Sequence, residues 1–282
     1  DNNQWQYNFA WFRRMEKDTN SGLNDVGEDL RNDDIFILNV YRQDWPVLGF
    51  TTQGTLVHNR NNEDEDFFFD RNGFIQRPAS LGNERLRRYR VTYAGLNGDG
   101  HFGRLNLTYS GYYAFGDESA GTFTTRPQDI RAYFGAAEAS VDFDWIRVRA
   151  SGLYASGDDD PYDSTSRGFD AIFENPIIAG ADTSYFIRQG VPNIGGGGIT
   201  LSTRNGVLNN LRPSKEHGQS NFTNPGVGLI GIGADLDILP ELRVSTNINQ
   251  IWFADTTTVE VARNQGPIDA NIGLDISGAI IY

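Results

Sequence analysis

Six arginines, Arg88, Arg90, Arg104, Arg147, Arg149 and Arg243, occupy the polar positions of stretches that alternate polar and apolar residues. A guanidinium is a planar, permanently charged fork that pairs with carboxylate or phosphate. A file of such forks along a hydrated wall offers an anion weak successive sites. The same arginines can instead neutralise acids, and Glu138, Asp142, Asp235, Asp237 and Asp275 occupy equivalent polar positions. Exposed pairs of that kind contribute about 0–1 kcal/mol each. They keep a wall wet and cancel its preference for anions.

Other residues invite other chemistry. Asp158, Asp159, Asp160 and Asp163 supply hard oxygen ligands of the type calcium takes, although the spacing is not that of an EF-hand. A solvated acidic loop is the plainer reading. Glu63-Asp64-Glu65-Asp66 runs into Phe67-Phe68-Phe69, either a cover for an opening or a partner contact, or a solvated loop with a packed aromatic end. Gly195–Gly198 has no Lys-Ser/Thr after it, so it is no phosphate loop. His58, His101 and His217 lack metal-site spacing, and Gly-x-Ser-x-Gly does not occur. No enzyme and no cofactor are expected.

The elements that must position these residues are strands. In residues 4–11, Trp5, Tyr7, Phe9 and Trp11 alternate with Gln4, Gln6, Asn8 and Ala10. The period recurs about ten times. Strands are expected over 4–14, 34–44, 49–59, 87–97, 102–115, 130–143, 145–156, 226–238, 242–253 and 270–282. The connections alternate short and long, and 157–224 is the longest. Bacterial outer-membrane barrels have short turns on one side and long loops on the other. A soluble sandwich also alternates polarity, but nothing in it gathers every long loop at one end. The fold expected is therefore all-β: one antiparallel transmembrane β-barrel over 1–282, with 157–224 its longest extracellular loop.

Composition agrees. The net charge of -13 argues against a nucleic-acid partner. No apolar run approaches the 18 residues of a transmembrane helix. Cysteine is absent, and two lysines accompany 22 arginines. Asp1 reads either as a mature N-terminus or as the start of a fragment.

Four stretches carry a family resemblance: Glu16–Leu23; Val40–Phe50, with Asp44-Trp45-Pro46; Asn97–Gly103, with Asn-Gly-Asp-Gly; and Leu153–Asp160, with Tyr-Ala-Ser-Gly-Asp-Asp-Asp, followed by Arg167–Asp170. Over most of its length the chain resembles the alginate-export family of outer-membrane proteins. The resemblance implies a monomeric barrel of about eighteen strands and an Arg-lined conduit for an anionic polysaccharide. Ten strands are fewer than that, which points to a shorter barrel or a truncated one. The expected partners are membrane lipid, lipopolysaccharide and an anionic solute or polysaccharide. The alternative is a non-conducting scaffold barrel that holds a periplasmic or surface protein. A soluble secreted β protein is the third reading.

Overall fold

The computed structural model of the chain describes residues 4–15, 27, 30–63, 68–69, 75–76, 87–172, 178–180, 191–192, 198–200, 207–210 and 220–282. Ten long strands dominate: β1 (Trp5–Met15), β2 (Leu30–Arg42), β3 (Phe50–Asn61), β4 (Tyr89–Phe102), β5 (Leu105–Glu118), β6 (Gln128–Phe143), β7 (Ile146–Ala155), β8 (Val227–Leu239), β9 (Leu242–Trp252) and β10 (Asn271–Ile281). One short helix, α1 (Thr257–Arg263), precedes β10.

Each long strand pairs antiparallel with the next, so the ten form a single meander in chain order. The sheet is open. Among the described residues, β1 and β10 are not paired with each other. Short turns follow β2, β4, β6 and β8, and the longer connections follow the odd strands. The sheet therefore has a turn end and a loop end.

The pairing line from Trp5, at the turn end of β1, runs through Arg42, Thr52, Gly98, Tyr109, Ala137, Gly152, Ile230 and Gln250 to Leu274. Leu274 lies near the loop end of β10. The strands are thus staggered across the sheet, the kind of offset that a tilted strand array requires.

Register sorts the side chains onto two faces. One face is apolar and exposed. Phe9 is 73% exposed, Ile232 62%, Ile276 70% and Ile280 77%. Aromatic rings edge it at both ends. Trp5 and Tyr7 stack toward the turn end, where Phe50 also contacts Phe102 and Tyr109. Trp11 stacks on Phe36, Tyr113 on Phe115 and Tyr133 on Tyr154 toward the loop end. Aliphatic residues such as Leu38, Leu56, Val148 and Ile248 lie between.

The second face divides. Its turn-end half carries Asn106, Thr108, Asp142, Arg147, Asp235 and Asp237. Its loop-end half is a dry core. Tyr89, Val91, Ala114, Ile130, Leu153, Leu229 and Ile251 pack there under Phe169, Ile178 and Phe222. The last three belong to the 157–224 connection, whose described parts 157–172, 178–180 and 220–224 therefore fold back over the sheet. Phe169 stacks on Phe134 at 5.2 Å and meets Tyr93 edge-on. Fully burying a Phe of this kind contributes about 1.5–3 kcal/mol.

Candidate functional site: a polar wall with an inward-folded segment

The turn-end half of the second face is built from β6–β9, where Arg and Asp alternate with residues of the apolar face. Arg147 pairs in register with Asp142 on β6 and Asp235 on β8, and its Nε donates to Asp142. Arg149, one pleat further in, is 3.2 Å from Asp235 and donates to Asn247 at 2.8 Å. Arg243 donates to Asp237 at 2.6 Å. Three of the six arginines thus share this wall, each with a carboxylate beside it. The arginines of this wall are charge-compensated.

The other three lie elsewhere. Arg90 is in register with Arg60 and Asp117, on the same face as the exposed apolar band, and Arg88 is exposed beside it. The expectation that they share a wall with Arg147 is corrected. At the loop end of β4 it is Tyr89, Val91 and Tyr93 that turn into the dry core, which sends the intervening arginines to the opposite face. Arg104 sits exposed in the turn between β4 and β5, where its carbonyl accepts the Asp142 N–H.

The calcium expectation also fails. Arg167 occupies the position a cation would take: its Nη1 lies 2.8 Å from Asp163, 3.1 Å from Asp159 and 3.9 Å from Asp158. Asp160 and Asp163 spend further oxygens on the N–H groups of Tyr162 and Thr165. The Arg167 guanidinium thus stands among three of the four carboxylates and offsets one of their charges. No cluster of three or more metal-binding side chains is present among the described residues. Asp158 itself is 1% exposed, and this burial pushes its carboxyl up to about 7.

Glu63 is not solvated either. It is buried and takes a bidentate pair from Arg31. Residues 64–67, 195–197 and His217 lie outside the described residues, as do Glu16–Leu23. His58 contacts Thr92 on the apolar face, and His101 stands at the turn end against Gly49.

Of the residues that shape the site most, the sequence pointed to Glu138 but not to Asn249, Ala179 or Gly180. Glu138 accepts from Ser151 Oγ at 2.6 Å and from the Ala179 N–H at 3.0 Å. Asn249 Nδ2 donates to the Ala179 carbonyl at 3.0 Å. The turn at Ala179–Gly180 is thereby pinned to the middle of the second face. Gly180 has φ +69, and a Cβ there would run into the Asn247 side chain. Higher up, Tyr93 Oη donates to the Asp170 carbonyl at 2.6 Å, and Ser166 Oγ contacts Glu118 and Gln128. The segment is held by polar contacts along its path as well as by its rings.

No model of a known protein family matches the chain. No curated protein matches it at a significant level either.

Proposed function

We propose that the sheet is the wall of a bacterial outer-membrane β-barrel that passes polar solutes by passive diffusion, narrowed by the folded-back 157–224 connection. One observation carries this reading: a broad exposed apolar face, edged by aromatics at both ends, backs a charged and amide-rich face on the same ten strands. Water would penalise so large an apolar surface, whereas lipid does not. The likeness to alginate exporters in stretches such as Leu153–Asp160 supports the same reading. Closure of the open sheet, by β1 meeting β10 or through further strands, is part of the proposal.

The paired arginines shift the expected selectivity. Arg147, Arg149 and Arg243 each face a carboxylate, so the path favours polar solutes with weak charge preference over a strictly anionic cargo. Planar-bilayer recordings test this. The proposal expects discrete conductance steps and a reversal potential near zero in a salt gradient. Complete absence of conductance from protein that inserts into bilayers contradicts it. That result would favour the second reading, a filled scaffold barrel, for which the dry core under Phe169 and Phe222 is the specific support.

A further inference from the structure

At the loop end of the apolar face one pairing line is charged at every position. It runs Arg13, Asp34, Arg60, Arg90, Asp117 and Asp129 across β1–β6. Asp34 is satisfied by Arg13 and Arg60. Further along the line like charges also stand opposite each other, although Arg90 is in register with Asp117 and Asp129 pairs with Arg131 at 3.4 Å. Arg60 lies directly opposite Arg90, and Asp117 directly opposite Asp129. Like charges placed opposite each other across a ladder destabilise it. Both Arg90 and Asp117 line a groove that opens between β4, β5 and Ser164.

Below this line come the rings of Trp11, Phe36 and Phe115. Below those lies an apolar furrow of about 540 Å³ on β4–β9. Leu96, Tyr154 and Trp252 wall it, and Gly111, Gly135 and Gly152 form its floor. Gly111 and Gly135 are paired in register, and a Cβ at Gly135 would meet nothing within 4 Å. From Arg90 to Leu96 is six residues, roughly 20 Å along the strand, about the reach of a fatty acyl chain.

We propose that this face holds a phosphorylated glycolipid of the outer leaflet, the lipopolysaccharide type, with a phosphate between Arg60 and Arg90 and an acyl chain in the furrow. Arginine forks suit phosphate, and the apolar rings stand where the headgroup meets the hydrocarbon. The inference rests on the membrane reading given above and adds a chemical preference among lipids.

The test uses the full chain, folded in detergent, with purified lipopolysaccharide in magnesium buffer and native mass spectrometry as the readout. The proposal expects retained lipopolysaccharide, binding about tenfold weaker for the Arg60→Gln/Arg90→Gln double variant, and a similar loss for enzymatically dephosphorylated lipid. Gly135→Leu fills the furrow in open space and is expected to weaken binding with the arginines intact. Insertion into phosphatidylcholine vesicles and heat-modifiable gel migration are followed in parallel. If all forms insert and bind both lipids equally, the glycolipid site is overturned and the membrane reading stands. If the wild-type chain fails to insert, both fall.

Discussion

At the scale of single residues, charge compensation decides what the wall can do. Arg147, Arg149 and Arg243 were legible as residues of the polar strand face, because β7 and β9 keep strict alternation. Arg88 and Arg90 were not: β4 alternates just as regularly there, but at its loop end the apolar set Tyr89, Val91 and Tyr93 faces the covered core, and only the covering segment decides that. The same blindness applies to Asp158 and Asp159, where the paired Arg167 is separated in sequence by a turn. Asp158 makes a pH prediction. Its folded carboxyl titrates near 7, above the ordinary 3.8, so the folded state binds the proton more tightly than the unfolded one. The stabilisation is full below about pH 3.8 and is lost as pH rises through about 7. Hydrogen-exchange protection of residues 156–170, corrected for the base-catalysed intrinsic rate, is therefore expected to be higher below pH 7 than above it. Asp158→Asn should flatten that dependence, and an unchanged profile in the variant contradicts the assignment.

At the scale of elements, the folded-back segment is the part proposed to narrow the path. Gly180→Val forces an unfavourable backbone and a clash with Asn247, so the Ala179–Gly180 turn should lift off Glu138 and Asn249. Single-channel conductance is expected to rise, with gel migration of the folded form retained; an unchanged or smaller conductance contradicts a constriction at this turn. The strands that carry the segment were readable from alternation to within a few residues, since period two survives whatever covers the sheet. Two features escaped. Asn97-Gly98-Asp99-Gly100 has the composition of a hairpin turn, yet β4 runs through it and turns at Gly103-Arg104. Gly98 instead makes room for the Tyr109 ring, and Gly100 for Phe50, a demand set by neighbouring strands. The helix α1 was hidden in an expected loop: its N-cap Thr256 makes no side-chain capping bond, and Glu260 accepts from Thr256 Oγ1 and the Ile268 N–H. The folding-back of 157–224 had no local signal, because Phe169 and Phe222 read like any loop aromatics until the sheet is assembled.

At the scale of the whole molecule, the proposed barrel sets one face against lipid and the other against water. Charge tolerance should follow the faces. Ile232→Arg is expected to destabilise the inserted protein by about 2–4 kcal/mol, whereas Thr108→Arg, across from Asp99 and Glu138, should be near neutral. Equilibrium unfolding from lipid vesicles measures both, and equal costs contradict the two-faced account. The absence of cysteine makes a still more direct measurement clean. Single cysteines at Leu38, Ile232 and Ile276 on one face, and at Asn39, Thr108 and Ser151 on the other, can be probed in proteoliposomes with a water-soluble maleimide and with a fluorophore quenched by brominated lipid. The account predicts lipid quenching and no aqueous labelling for the first set, and aqueous labelling without quenching for the second. Aqueous labelling of both sets, or quenching of the second, would contradict it.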